Sequence, residues 1–231
     1  MSAGAEKIDW SDFWDRKAEQ ATDFQATGRS VMSEYDFRHS IDEVVRLLQF
    51  KPTDVVADIG CGTGLFCLAL SGAVERIDGV DISLAMIRRA RQNAGHLANV
   101  RLSVGAFPSL DLPEGAYDKV LAYSVLQYLS GEAAIGEALQ ETARILRPGG
   151  TGLFACNPDP AYRMAYIEVL KKKSSPADLS AAINLLDQTQ WVARDRLVSL
   201  ASKAGLTAEA FPISERIWQH FYMFDLLVRK A

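Results

Sequence analysis

Residues 55–66 read Val-Val-Ala-Asp-Ile-Gly-Cys-Gly-Thr-Gly-Leu-Phe, so an apolar run leads into an acid, three alternating glycines and a second apolar run. This pattern predicts a buried strand, a tight turn and the start of a helix. Because Gly60, Gly62 and Gly64 lack a Cβ atom, the turn can adopt positive φ and let a ligand lie directly on the backbone. In a parallel sheet such a turn lies at the carboxyl edge, where doubly wound folds bind their ligands.

The acid just ahead of the first glycine indicates the kind of ligand. A carboxylate at Asp58 would repel a pyrophosphate, but it suits a ligand that carries an ammonium or sulfonium group. The stretch resembles the first motif of the class I S-adenosylmethionine (SAM)-dependent methyltransferases, a hydrophobic strand followed by D-x-G-x-G-x-G. The resemblance implies that SAM is the cofactor and S-adenosylhomocysteine the product, and that SAM is bound by Asp58, Gly60, Cys61, Gly62 and Gly64.

A second acid, Asp81, ends the next predicted strand, residues 76–81. One carboxylate at this place can accept hydrogen bonds from both hydroxyls of a ribose, as in other nucleoside-binding folds of this kind. The segment that follows is similar to the family's D-x-S-x-x-M pattern. It predicts that Ile82 and Met86 flank the adenine.

Two later loops complete the predicted cofactor site. The family commonly has an Asp after the third strand that bonds the adenine amino group, but this chain has Ala106 there. Adenine is therefore expected to be held by backbone groups, by packing of Phe107 or by another side chain. Residues 117–128 resemble the family's fourth strand and turn, which implies that Tyr123 and Ser124 lie near the methyl group of SAM.

The resembling segments recur in the family's order over residues 54–156. They predict an α/β fold with a doubly wound, Rossmann-like seven-stranded sheet whose last strand is antiparallel. We expect all 231 residues to form one domain. Its predicted parts are an N-terminal helical cap (1–50) with helices over 8–24 and 35–50, a SAM-binding core (54–156), a helical lid inserted after strand five (157–191) and the rest of the sheet (192–231), with strands at 205–213 and 220–228.

Composition narrows the class of partner. The net charge of −4 gives no electrostatic footprint for nucleic acid or an anionic membrane. No apolar run has the length of a signal peptide or membrane span, so we expect a cytoplasmic protein. We expect it to be a monomer or a homodimer. The three cysteines lack C-x-x-C spacing and are expected to be reduced, buried residues. Residues 122–125 read Ala-Tyr-Ser-Val, where enzymes that methylate exocyclic amines of nucleic-acid bases typically carry N-P-P-[YFW].

In methyl transfer from a sulfonium, the protein mainly has to bind the donor and orient the acceptor toward the methyl carbon, because the donor is already activated. A base is needed only if the acceptor must lose a proton. The candidate catalytic residues are His39, His220 and Tyr123, with Tyr35 as a competitor. No spacing of histidines or carboxylates convincingly predicts a magnesium site, so we expect metal-independent chemistry.

The sequence therefore predicts a methyltransferase that acts on an oxygen or nitrogen of a small molecule, such as a sugar, a lipid-linked saccharide or a secondary metabolite. The alternative is a catalytically inactive SAM-binding subunit that regulates or partners another enzyme. A nicotinamide-dependent oxidoreductase is disfavoured by Asp58 and by the missing Tyr-x-x-x-Lys arrangement.

Overall fold

The computed structural model describes residues 7–29 and 33–231, within which seven strands form one sheet. The strands are β1 (Val55–Ile59), β2 (Arg76–Asp81), β3 (Val100–Val104), β4 (Tyr117–Tyr123), β5 (Leu146–Pro158), β6 (Leu206–Pro212) and β7 (Met223–Lys230). Their order across the sheet is β3-β2-β1-β4-β5-β7-β6. β7 runs antiparallel to both of its neighbours, and the other pairs are parallel. The predicted α/β fold and its antiparallel last strand are confirmed.

The strand order creates a crevice between β1 and β4. The chain passes from β1 outward to β2 and β3, and then returns to the other side of β1 as β4. Connections therefore leave these two strands in opposite directions. A topological switch of this kind opens a ligand crevice at the carboxyl ends of the strands, which is where the glycine-rich turn begins.

Helices cover both faces of the sheet. They are α1 (Trp10–Lys17), α2 (Asp23–Ala26), α3 (Glu34–Leu48), α4 (Leu65–Leu70), α5 (Leu84–Ala94), α6 (Glu132–Ile145), α7 (Arg163–Lys173), α8 (Pro176–Asp187) and α9 (Arg194–Lys203). Buried residues of α3, α4 and α5 pack on one face, and those of α6 and α9 pack on the other. Side chains alternate between these two faces along β1, so Asp58 shares the face of Val56, beneath α4.

The structure corrects the predicted bounds at both ends of the chain. The helix predicted over 8–24 is in fact two short helices, because Thr22 and Gln25 form a capping box that starts α2 afresh. The strand predicted over 220–228 begins only at Met223, since residues Trp218–Phe221 form a one-turn 3-10 helix. The helical insertion after β5 is present as α7 and α8. Residues 1–6 and 30–32 of the predicted cap lie outside the described residues.

Candidate functional site

The glycine-rich turn connects β1 to α4 and is fixed to the end of β2. The backbone N–H groups of Gly60 and Cys61 both donate to the Val80 carbonyl oxygen, at 2.7 and 3.0 Å. Gly60 and Gly62 have φ of 72° and 55°. A Cβ atom would lie 2.5 Å from Val125 Cγ2 at Gly60 and 2.9 Å from Thr27 Cγ2 at Gly62. The turn therefore requires glycine both for its backbone conformation and for the close approach of its neighbours.

Asp81 joins this turn to the start of α5. Its Oδ2 accepts a hydrogen bond from Gly62 N at 2.8 Å, and its Oδ1 accepts one from Ser83 N at 2.9 Å. Burial raises the pKa of Asp81, and these two bonds oppose the rise. Each carboxylate oxygen keeps a further lone pair, so the same side chain can still accept bonds from a ligand.

Asp58 is a buried carboxylate with an unusual pKa. Its side chain is 2% exposed, and the Cys67 thiol of α4 donates to its Oδ2 at 3.3 Å. Burial raises the pKa of Asp58 to about 7, against the opposing effects of the Cys67 bond and the Arg29 charge. A cationic ligand group placed beside Asp58 would favour its ionised form.

Residues 7–29, here called the N-terminal cap, lie over the cofactor crevice. Asp15 Oδ1 accepts hydrogen bonds from Ser83 Oγ at 2.5 Å and from Ala85 N at 3.1 Å, at the N-terminus of α5. Further along the cap, Thr27 reaches the Gly62 position described above. The cap therefore contacts both cofactor-side anchors, the glycine-rich turn and the segment after Asp81.

Arg29 is the site residue that sequence reasoning missed. Its guanidinium lies 5.0 Å from the Tyr123 ring centroid and 5.8 Å from that of Phe66, within cation–π range. It forms no ion pair with a carboxylate in the described part of the chain. The sequence offered only a single cation after the break at Gly28, and nothing local placed that cation over the end of β4.

The residues predicted to hold adenine have different surroundings. Ile82 is 40% exposed at the crevice, whereas Met86 is 1% exposed. Ala106 forms an isolated bridge with Ser109, and Phe107 packs in the core on the α6 side, 6.4 Å from the Phe154 ring centroid. Ile82 is therefore best placed for a ligand, and adenine contact by the others stays a prediction.

The three predicted catalytic residues also differ in their surroundings. The Tyr123 hydroxyl donates to Ser40 Oγ at 3.1 Å, and burial raises the pKa of Tyr123 well above its usual value, so the phenol stays protonated at neutral pH. His39 has a buried Nε2 with no hydrogen-bond partner among the described residues. His220 is exposed on the one-turn helix before β7. A role as base stays a prediction for all three residues.

The carboxyl ends of β4 and β5 hold two residues in left-handed backbone conformations, Ser124 with φ of 59° and Cys156 with φ of 58°. Cys156 N donates to Asp225 Oδ1 at 2.8 Å, across to β7. Non-glycine residues in this conformation are strained and concentrate at functional sites. The observation agrees with a ligand site at this edge of the sheet, beside the predicted Tyr123 and Ser124.

Aromatic side chains gather beside these strand ends, and we call Tyr166, Trp191, Trp218, Phe221 and Tyr222 the aromatic cluster. Tyr222 lies at its centre, stacked on Tyr166 with ring centroids 4.2 Å apart. The other three rings lie 4.9 to 6.0 Å from Tyr222. Burial raises the pKa of both phenols, so they remain neutral. Tyr222 is buried within the cluster, and the other four rings are partly exposed.

Neither a metal-binding cluster nor a membrane-spanning helix is found among the described residues. Within 7–29 and 33–231, no group of three or more His, Cys, Asp or Glu side chains is arranged to hold a metal ion. No helix in the same residues is long and apolar enough to cross a membrane.

The central part of the chain is similar to known methyltransferases. Residues 56–150 match the Methyltransf_25 family, described as a methyltransferase domain. A malonyl-[acyl-carrier protein] O-methyltransferase of Geobacter sulfurreducens is 30% identical over 69% of this chain and 58% of its own length. A demethylmenaquinone methyltransferase of Symbiobacterium thermophilum is 29% identical over 52% of this chain and 49% of its own length. The chain spans only 27% to 58% of the first curated relatives it matches.

Solved structures give the same fold. A putative methyltransferase of Haloferax volcanii, in complex with the Trm112 activator, aligns with a TM-score of 0.72 and 20% identity, over 94% of this chain and 98% of the other. Magnesium protoporphyrin IX methyltransferase of Synechocystis aligns with a TM-score of 0.66 and 20% identity, over 95% and 94%. The fold is thus that of the Rossmann-like methyltransferases. The methyltransferase domain matched over residues 56–150 agrees with the predicted resemblance to the class I SAM-dependent methyltransferases.

Proposed function

We propose that this protein transfers a methyl group from SAM to an oxygen or nitrogen of a small-molecule acceptor. The observation that carries the proposal is the arrangement of Asp58, Gly62 and Asp81 around one crevice, in which Gly62 N donates directly to Asp81. A glycine cradle that a Cβ atom would fill, flanked by two buried carboxylates, fits a ligand with a ribose and a cationic amino-acid end.

Each group has a proposed task toward the cofactor. Asp81 accepts hydrogen bonds from the ribose hydroxyls, and Asp58 faces the ammonium group of the methionine part. Arg29 pairs with the carboxylate of that part, because its cation lies on the same side of the crevice as Asp58 and lacks a carboxylate partner in the described residues. SAM supplies a methyl group already activated by the sulfonium, so the protein has to align the acceptor and exclude water.

The acceptor is proposed to lie against the aromatic cluster. Flat walls favour a ring-bearing or apolar body, as in secondary metabolites and sugars. Buried Gln127 Oε1 and Trp218 Nε1 have no hydrogen-bond partner among the described residues, and both suit polar groups of a ligand. One relative is named as a 23S rRNA methyltransferase, but the net charge of −4 supports a small molecule over a polyanion.

For an acceptor that must lose a proton, we propose His39 as the base.

Calorimetric titration with SAM, S-adenosylhomocysteine and NADH tests the cofactor, and release of S-adenosylhomocysteine during an acceptor screen tests the reaction. Micromolar SAM binding without NADH binding is expected. Binding of NADH alone would overturn the proposal. SAM binding with no turnover on any small molecule would favour the inactive-subunit alternative.

Arg29→Met is expected to weaken SAM binding about 10- to 100-fold, since a hydrogen bond to a charged group contributes ~1.5–3 kcal/mol. Adenosine lacks the methionine carboxylate, so its affinity should not change. Both affinities are measured by calorimetry, with Arg38→Met, an exposed cation of α3, as the matched control. An equal loss of adenosine and SAM affinity would refute the proposed pairing.

SAM affinity is expected to rise with pH between 6 and 8. Only the ionised form of Asp58 attracts the ammonium group, and its pKa is about 7, so at pH 6 roughly a tenth is ionised and binding should be about tenfold weaker. The charged groups facing it are Arg29 from the cap and Asp81 from β2, with the Cys67 thiol from α4. Titrations at several pH values check this. Asp58→Asn should bind weakly with a flat profile, and a persistent slope would assign the titration to another group.

A further inference from the structure

Arg89 of α5 attaches the N-terminal cap to the body of the fold. Its Nη1 donates to the carbonyl oxygens of Ala18 and Gln20, at 2.9 and 2.6 Å, and Nη2 donates to that of Ala21 at 3.5 Å. Its Nε lies 2.7 Å from Asp23 Oδ1. One side chain thus satisfies carbonyl groups at the carboxyl end of α1 and pairs with the first residue of α2.

The two helices of the cap bury few side chains of their own. α1 has eight residues and no buried side chain, and α2 has four residues and only one, Ala26. Helices this short are unstable in isolation. Besides Arg89, α1 is attached by the Asp15 bonds at the N-terminus of α5, by the contacts of Trp10 and Trp14 with Tyr128, with ring centroids 4.7 and 5.3 Å apart, and by the bond from Ser11 Oγ to Ile82 O at 3.5 Å. Helix α2 packs through Phe24 on Phe37 of α3, with ring centroids 5.6 Å apart.

The residues that follow the Arg89 contacts lead straight to the cofactor crevice. Asp23, paired with Arg89, is the first residue of α2; Thr27 then meets Gly62 and Arg29 lies over Tyr123. Loosening the cap at Asp23 would therefore withdraw the groups that cover the glycine-rich turn. Arg89 itself faces the cap and not the crevice, so any effect on a bound cofactor has to pass through the cap.

We propose that Arg89 is a positioning residue that holds the N-terminal cap closed over the cofactor and limits the rate at which S-adenosylhomocysteine leaves. This inference rests on the proposed function. It assigns to one side chain outside the crevice the control of cofactor exchange. Its counterpart on the cap is Asp23.

The test is the dissociation rate of S-adenosylhomocysteine, followed by stopped-flow through the intrinsic fluorescence of the four tryptophans, of which Trp10 and Trp14 lie in the cap. Arg89→Ala should raise this rate at least tenfold. Asp23→Asn, which keeps the carbonyl contacts, should raise it by a smaller factor. The matched control is Arg91→Ala, because Arg91 lies on the same helix but donates to Leu102 O on β3. It should leave the rate unchanged.

Hydrogen exchange separates a loosened cap from general destabilisation. Amides of residues 10–26 should exchange faster in Arg89→Ala while those of α5 and β1 keep their protection. If Arg89→Ala does not fold, Asp23→Asn and Arg89→Lys decide the question. Dissociation rates within twofold of wild type in the folded variants would overturn the inference. A wild-type chain that binds neither SAM nor S-adenosylhomocysteine would instead overturn the proposed function.

Discussion

Asp81→Ala is expected to weaken SAM binding by at least 100-fold and to destabilise the protein. The substitution removes the proposed acceptor for both ribose hydroxyls, and hydrogen bonds to a charged group contribute ~1.5–3 kcal/mol each. It also leaves the buried N–H groups of Gly62 and Ser83 without their acceptor, at a cost of ~1–3 kcal/mol each. Calorimetry measures the first effect, and thermal unfolding without ligand measures the second.

Asp78→Ala is the matched control for Asp81→Ala. Asp78 is also a buried acid of β2, but it accepts from the Tyr117 hydroxyl at 2.7 Å and pairs with Arg76 at 3.2 Å, away from the crevice. This variant should lose stability to a similar degree and keep its SAM affinity. If Asp81→Ala binds SAM as the wild type does, the ribose assignment is wrong.

Gly62→Val is expected to abolish detectable SAM binding. A β-branched residue is strained at a φ of 55°, and its Cβ atom would lie 2.9 Å from Thr27 Cγ2. The branch methyl groups would in addition occupy the surface on which the ligand is proposed to lie. Titration with SAM up to ~1 mM, a concentration that corresponds to only about 4 kcal/mol of binding, checks the loss.

The control for backbone strain is Gly115→Val. Gly115 has a similar φ of 60°, but a Cβ atom there would meet no heavy atom within 4 Å. Gly115→Val should therefore report the strain alone, as a lower melting temperature with unchanged SAM affinity. Comparable losses of SAM affinity in both glycine variants would show that the effect at Gly62 is general destabilisation and not a blocked site.

The central half of the fold could be predicted because its signals are local. The run from Val55 to Phe66 encodes strand, turn and helix within twelve residues, and β2 has the predicted bounds. The turn has the expected positive φ values, and Asp81 lies against it as an acid at the end of β2 should. Here sequence pattern and tertiary contact agree.

The parts that sequence reasoning missed depend on contacts between distant segments. The attachment of the cap to α5 depends on Arg89, whose partners lie about seventy residues away along the chain. Arg29 becomes a site residue only because the cap folds back over β4. Likewise, Phe107 lies in the expected loop, but its ring packs in the core on the α6 side. Periodicity and motif spacing carry no information on these contacts between distant segments.

The antiparallel direction of β7 has a consequence for engineering. Because β7 enters the sheet at the edge where β4 and β5 end, the aromatic cluster is built from α7, the segment before α9 and the loop before β7, all later in the chain than the cofactor anchors. The proposed acceptor walls can therefore be exchanged for those of a relative without changing residues 55–83. A chimera that also replaces the N-terminal cap must keep acidic partners for Ser83 and Arg89. Without them, the new cap would not be held over the crevice.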